Sequence, residues 1–201
     1  MFLRYAVFFL VMCLPNMALA EARSEYSKFD IETDCKQWGP FEEAGGSGTL
    51  ICPGYDGLNI VLSFGDLRES ISVHATLSED LETPWQSFSA WNSVNPDFEI
   101  RLLNGIPRAT IHRVFLDNVN PDTGSADASF KGQILVVTTI ALNPGEPSCM
   151  AGVVDARANK NANLLARQVA DTVAVNFECG ADQPVYHGER GRYASSLSIS
   201  N

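Results

Sequence analysis

Histidine, cysteine and basic residues are scarce in this sequence, and each scarcity excludes a class of chemistry. The chain has 3 histidines and 5 cysteines in 201 residues. His74, His112 and His187 are far apart, and no HExxH or CxxC spacing occurs, so we predict no metal site. The glycines at 45–48 lack a following Lys-Ser/Thr, and Thr49 replaces the last glycine of a G-x-S-x-G motif. We therefore assign no catalytic residue, no cofactor and no metal ligand.

Basic residues are also few. The chain carries 14 Lys plus Arg against 24 Asp plus Glu, a formal net charge of −10. A domain this acidic is repelled by nucleic acid and by anionic lipid surfaces. We therefore predict no nucleic-acid partner and look for a protein or an envelope component instead.

Long apolar runs are absent, because the longest one, Tyr5–Leu14, has ten residues. Spanning a bilayer takes about 20 apolar residues. The run follows a basic residue and precedes Ala18-Leu19-Ala20, which is the layout of a secretory signal. We predict that residues 1–20 are a signal peptide cleaved after Ala20, with no transmembrane segment in the mature chain. Lipidation at Cys13 is the alternative, and Met12 disfavours it because a small residue normally stands there.

Removal of the leader would leave four cysteines, and an even number in an oxidising compartment predicts two disulfides. The protein is therefore expected in the periplasm or the medium. Three pairings are possible, and we prefer Cys35–Cys52 and Cys149–Cys179. The first pair lies on two strands joined by a glycine-rich loop. The second pair is brought together by a strand over 149–156 and a helix that runs back along it.

The remaining pattern predicts a single α+β domain over 29–187, with a mainly antiparallel β-sheet and one amphipathic helix packed on it. A flexible lead is expected at 21–28 and a disordered tail at 188–201. Asn104-Gly105 is a favoured hairpin turn. The continuous apolar start of the 133–142 strand indicates a central position. Leu165, Val169 and Val173 recur at helical spacing and predict a helix over 162–175.

Two groups of residues are weak candidates for a binding surface. One is the turn that carries Asp66 and Arg68, which either pair with each other or present a polar contact. The other is an aromatic set in a short helix expected over 85–91, with Trp85, Phe88 and possibly Trp91 on one face. The alternative for the aromatics is plain core packing, because helical spacing usually marks a buried face.

Five segments together resemble a family of uncharacterised exported proteins of alphaproteobacteria. The resemblance extends over about residues 29–188, and its segments are 52–57, 65–68, 132–137, 149–159 and 163–170. The family has no assigned activity. The resemblance therefore implies an extracytoplasmic location, and it implies no function and no site residue.

Three functions are consistent with these observations. The first is a non-catalytic binding or envelope-associated domain in the periplasm, because no site for chemistry is visible. The second is a hydrolase that acts on envelope material with dispersed acidic residues. It requires two convergent carboxylates or a histidine–acid pair in a pocket. The third is an inhibitor of an exported enzyme that presents a rigid loop such as 117–128.

Overall fold

The computed structural model of the protein describes residues 21–42, 46–78, 81 and 84–200. The predicted signal peptide and the bond after Ala20 lie outside these residues. No helix within the described ranges is both long and apolar enough to cross a membrane. The described elements are β1 (Ala22–Lys28), β2 (Lys36–Glu42), β3 (Ser47–Pro53), β4 (Asn59–Gly65), β5 (Arg68–His74), β6 (Trp85–Phe88), β7 (Trp91–Leu103), β8 (Ile106–Asp117), β9 (Gly132–Ala141), β10 (Met150–Asp155), α1 (Ala162–Thr172), β11 (Val185–Tyr186) and β12 (Leu197–Ser200).

Ten of the described strands form one sheet, in the order β1-β7-β8-β9-β5-β4-β3-β2, with β10 beside β9 and β11 beside β10. Most strand pairs in the sheet are antiparallel, as expected, but the sheet is mixed because it also contains parallel pairs. Strand β5 runs parallel to β9, and β11 runs parallel to β10. The first parallel contact arises because β10 covers the edge of β9 only as far as Thr138. The end of that edge, Ile140 and Ala141, then pairs with Val73 and His74 of β5.

Strand β9 lies at the centre of the sheet, as its continuous apolar run predicted. It pairs with β8 along one edge and with β10 and then β5 along the other. Its side chains alternate between two apolar cores. Ile134, Val136 and Ile140 enter the core enclosed by β3–β5 and β7–β10, whereas Leu135 and Val137 pack beneath α1. The run is therefore apolar on both faces because both faces are covered.

Helix α1 packs against β8, β9 and β10 mainly through alanine. Ala162, Ala166 and Ala170 are buried together with Val169. Small side chains bring the helix backbone close to the sheet. The predicted helix ends earlier than expected, at Thr172, and a single turn of 3-10 helix follows.

Two disulfides join the chain as the preferred pairing predicted. Cys35–Cys52 links the residue before β2 to β3, across 17 residues. Cys149–Cys179 links the residue before β10 to the segment after α1, across 30 residues. In the chain-entropy treatment, closing loops of this size contributes about 3–4 kcal/mol each.

Both ends of the described chain are more ordered than the sequence indicated. Residues 21–28, expected to be a flexible lead, contain β1, which pairs antiparallel with β7. The tail from 188 onward, expected to be disordered, is fixed by polar contacts. The backbone N–H of Glu189 donates to Asn159, and that of Gly191 donates to Asp155. Strand β12 then pairs with β6. Backbone hydrogen bonds to side chains produce no apolar pattern, so the sequence did not predict that the tail is ordered.

The short helix expected over 85–91 is also wrong. Residues Trp85–Phe88 form β6, and Trp91 begins β7. The backbone of β6 is satisfied by β12, a distant segment whose pairing overrides the helical spacing of the aromatics. Phe88 is buried, whereas Trp91 is 42 % exposed, so the three aromatic side chains do not share a face.

Ion pairs attach α1 to the sheet. Arg167 donates to both carboxylate oxygens of Glu99 on β7, at 2.5 and 3.2 Å. Arg101, only 7 % exposed, donates to both oxygens of Asp171 at 2.9 and 2.6 Å. When both oxygens of a carboxylate accept from one guanidinium group, the interaction compensates the free-energy cost of burying that charge.

Replacement of Asp171 by alanine tests this attachment. The Asp171→Ala variant leaves Arg101 buried without its main partner, so we expect the free energy of unfolding to fall by roughly 2–4 kcal/mol in urea denaturation. The matched control is Arg23→Ala, which removes the exposed pair with Glu25 and should cost no more than about 1 kcal/mol. Equal small losses in the two variants would contradict a compensating role for Asp171.

Candidate functional site

The turn between β4 and β5 contains a leucine in a backbone conformation that leucine rarely adopts. Gly65 pairs with Arg68, so the connection has two residues, Asp66 and Leu67. Both have positive φ, 49° and 57°. Two-residue turns of this hand favour Asn-Gly, because a side chain in the left-handed region is strained. Leu67 is nevertheless 70 % exposed, so the strain is not offset by burial within this chain.

Asn92 fixes this turn from the start of β7. Its backbone N–H donates to the carbonyl of Leu67 at 3.0 Å, and its side-chain oxygen accepts from the N–H of Glu69 at 3.1 Å. Its side-chain nitrogen donates to Ser87 and to the carbonyl of Ala90. Asn92 is itself buried. Asn92 therefore bonds the turn directly and is itself held by groups on β5, on β6 and on the segment before β7.

A groove of about 400 Å³ lies beside this turn, and we call it the Trp91 groove. Among the side chains around it, Trp91 is half-exposed and Leu67 forms the most exposed apolar part. The lining includes Phe64, Leu67, Arg68, Trp91, Asp117 and Ala126.

The four residues of the predicted binding surface do not all meet. Arg68 and Trp91 line the Trp91 groove, and Asp66 lies in its turn. Asp66 forms an ion pair with Arg68, which is the local contact considered from the sequence. The Nε of Arg68 is buried and finds no hydrogen-bond partner among the residues that the structure describes. Trp85 is separate, since it begins β6 opposite Ser200.

Leu67 was missed from the sequence. Gly65-Asp66 predicted the turn, but local composition predicts neither the exposure of a leucine nor the sign of its φ angle. The only available signal was leucine at a position where such turns favour glycine.

One loop contributes Asp117 and Ala126 to the lining of the Trp91 groove, and Asp117 forms an ion pair with Lys131 at 3.0 Å. The loop over 117–127 contains Asp117, Asp122 and Asp127 and no Lys or Arg. Hydrogen bonds from Ser129 and Asn120 lower the pKa of Asp127, so that this carboxylate stays ionised. The loop is internally braced, because Val119 and Ala126 form a β-bridge and Asn120 accepts from the N–H of Asp122. A rigid acidic loop therefore flanks the apolar groove.

A larger groove of about 540 Å³ lies between α1 and strands β1, β7 and β8. It opens where β7 bulges: Val94 pairs with Val114, but Phe98 pairs with His112, so extra residues stand out from the ladder. Four of its charged groups form ion pairs, and Arg113 donates to the side chain of Gln133. Glu99 is held by Arg167, and Lys28 lies 3.5 Å from Asp97. These charges serve the attachment of α1 and the sheet edge.

The histidines do not form an acid–base pair. His112 is 3 % exposed and stacks on Phe98 with ring centroids 5.0 Å apart, and its Nδ1 has no hydrogen-bond partner within the described ranges. Burial lowers the pKa of His112 to about 3, so its ring is neutral. His74 contacts Ser72 at 3.0 Å, and burial lowers its pKa as well. Neither His74 nor His112 lies in the Trp91 groove with Arg68.

In the part of the chain that the structure describes, no histidine ring nitrogen lies within 4.0 Å of a carboxylate oxygen. Over the same residues, no group of three or more His, Cys, Asp or Glu is placed to hold a metal ion. The arrangement that remains is a rigid, partly apolar surface suited to contact. No protein-family model, curated protein or solved structure matches the chain.

Substitution of Leu67 by glycine measures the strain in the turn. Leu67→Gly removes a side chain from left-handed backbone, and we expect the free energy of unfolding to rise by about 0.5–1 kcal/mol. The control is Ile106→Gly, at another exposed apolar residue, which is not among the residues with positive φ. That variant should lose stability. A loss for Leu67→Gly as large as the loss for Ile106→Gly would show that the leucine is not strained.

Proposed function

We propose that this protein is an exported, non-catalytic binding protein that recognises a protein partner through the Trp91 groove. The observation that carries the proposal is Leu67, a strained leucine held out into solvent. Such a residue lowers the stability of the chain and gains no burial in return. Strain of this kind persists at sites where it serves contact with another molecule.

The chemistry of the groove favours a protein over a small polar ligand. Binding hot spots in protein interfaces are enriched in tryptophan and arginine, and they are surrounded by contacts that exclude water. Trp91 and Arg68 lie here beside an exposed leucine. Because Asn92 fixes the turn before any partner arrives, little conformational entropy is lost when the surface is covered.

The charge of the surface specifies the partner further. The protein carries a net charge of −10, and the loop beside the groove contains Asp117, which is paired with Lys131, together with Asp122 and Asp127. A partner with apolar side chains surrounded by Lys or Arg is complementary to this surface. Complementary charge speeds the encounter, and the apolar contact supplies most of the affinity.

Export is supported by two independent features. The disulfides are typical of oxidising compartments. The sequence of residues 1–20 has the layout of a cleaved signal. A periplasmic location, and membership of the alphaproteobacterial family that the sequence resembles, belong to this proposal.

An exported enzyme is one class of partner that the geometry favours. The loop over 117–127 is braced by its own hydrogen bonds and lies next to the apolar groove. Rigid loops of this kind are preorganised for binding at low entropic cost. An inhibitor would use the same surface, and it differs from other binding proteins only in what the partner does. The hydrolase is the weaker alternative, because the two carboxylates that line the larger groove, Asp97 and Glu99, are paired with Lys28 and Arg167.

Site-specific crosslinking tests the proposal. A photo-crosslinking residue is placed at Leu67 in one variant and at Leu164 in another, since Leu164 is a second leucine that is more than half exposed. The mature protein is irradiated with periplasmic extract, and the adducts are identified by mass spectrometry. We expect a discrete protein adduct at position 67 that is absent at position 164.

The affinity for the purified partner is then measured with matched alanine variants. Leu67→Ala and Trp91→Ala should each weaken binding about 30-fold, the effect of losing a hot-spot side chain. Leu164→Ala should leave the affinity unchanged. Identical adducts from both positions, or unchanged affinity in Leu67→Ala and Trp91→Ala, would refute the assignment of this surface.

A further inference from the structure

A small polar cavity, which we call the interior cavity, lies inside the core that strands β3–β5 and β7–β10 enclose. Its volume is about 10 Å³, and every residue that lines it except Glu69 is buried. The apolar part of the lining belongs to that core and consists of Ile71, Phe88, Val94, Val114, Val136 and Met150. The rest of the lining is polar, and polar groups at this depth in a protein need hydrogen-bond partners.

Two of the polar groups that line the interior cavity lack such partners. The Nδ1 of His112 on β8 and the Oγ1 of Thr138 on β9 are buried and have no hydrogen-bond partner among the described residues. His112 is 3 % exposed and Thr138 is 0 % exposed. Both side chains lie on the same face of the sheet, because His112 pairs with Val136 and strand side chains alternate with a period of two. Two unsatisfied polar atoms therefore face one enclosed space.

A third polar group at the interior cavity is the carboxyl group of Glu69. One of its oxygens accepts from the backbone N–H of Val94 at 2.5 Å. Over the described residues, no basic nitrogen lies within 4.0 Å of this carboxyl group. Burial raises the pKa of Glu69, and the hydrogen bond from Val94 opposes that rise. A carboxyl group has several acceptor positions, so Glu69 can bond a further partner.

The interior cavity has the size of one water molecule. A cavity needs about 10–15 Å³ to hold a water, and a buried water typically makes about three hydrogen bonds. Cavities that stay empty are lined by apolar groups alone, whereas this one is lined by three groups that can form hydrogen bonds. Because the space is so small, one molecule inside it contacts all three of them.

We propose that the interior cavity is a binding site for one water molecule, which forms hydrogen bonds with His112, Thr138 and Glu69. A water molecule can donate two hydrogen bonds and accept two, so it satisfies the Nδ1 of a neutral His112 ring in either tautomer. Glu69 also lines the Trp91 groove, and its backbone N–H donates to Asn92. The water therefore connects the hydrogen bonds that support the Leu67 turn to the core of the sheet.

A water molecule fits this site better than a metal ion. Hard cations take six or more oxygen ligands. Two of the oxygens at the cavity already accept from backbone N–H groups, since Ser70 accepts from Gln86 at 3.1 Å and the side chain of Gln86 accepts from Met150. One of the remaining polar atoms is a ring nitrogen, that of His112. The water site does not depend on a partner at the Trp91 groove, so either proposal can fail alone.

Replacement of one hydroxyl group by a methyl group tests the site. Thr138→Val keeps the shape of the side chain and removes a hydrogen bond to the water, so we expect the folding equilibrium constant from urea denaturation to fall about tenfold. The matched control is Thr110→Val. Thr110 lies opposite Thr138 on β8, is 1 % exposed and has an Oγ1 without a partner among the described residues, but it does not line the interior cavity. Removal of that unpaired hydroxyl should leave the constant unchanged or raise it.

NMR of the wild-type mature protein gives a second measurement that needs no variant. The methyl groups of Val136 line the interior cavity, so we expect nuclear Overhauser effects between them and a long-lived water. The methyl groups of Val137, which pack beneath α1 on the other face of β9, should show none. Two results would overturn the proposal. One is the absence of such an effect at Val136, and the other is a folding constant that rises in Thr138→Val, because the hydroxyl would then be buried without any partner.

Discussion

The fold depends on β9 being covered on both faces and paired along both edges. Its side chains enter two separate cores, one between the strands and one beneath α1. Its edge is shared by β10 and β5, so it joins the hairpins of the first half of the chain to the strands of the second. A polar side chain inserted at Val136 or Val137 would disturb one whole core, because protein interiors are closely packed.

This central strand explains how an exposed turn is kept rigid. Strand β5 is attached to β9 at Val73 and His74, and its other end carries the Asp66-Leu67 turn. Asn92 then holds that turn from β7, which reaches β9 through β8. The strain of a left-handed leucine is supported by hydrogen bonds that originate in the sheet. The surface proposed for partner binding is therefore part of the scaffold, whereas binding surfaces on many domains lie on mobile loops.

The sequence predicted those features that depend on local pattern. The apolar run of β9, the Asn104-Gly105 hairpin turn and the repeat of Leu165, Val169 and Val173 each indicated the element that forms. The preferred disulfide pairing is also confirmed; it was argued from a loop between two strands for one pair and from strand and helix lengths for the other. Features that depend on distant pairing were not predictable. Strand β6 required β12, and the order of the tail required Asp155 and Asn159.

The candidate site was only partly visible for the same reason. Asp66 and Arg68 were selected as a polar turn, and Trp91 was selected for its helical spacing with other aromatics; the fold places Arg68 and Trp91 at one groove and pairs Asp66 with Arg68. Trp85 was included because of a helical spacing that the chain does not use. Leu67 and Asn92 were missed because exposure, backbone strain and long-range hydrogen bonds have no signature in single-residue composition.

The central claim is that the Leu67 turn is held in its strained shape before any partner binds. Amide hydrogen exchange of the free mature protein, read by NMR, tests it most directly. The slowest amides should lie in β9, and the Asn92 amide, which donates to Leu67, should be strongly protected in the absence of any ligand. Exchange of the Asn92 amide at the rate of an unstructured peptide would contradict the claim, because the turn would then be mobile until a partner ordered it.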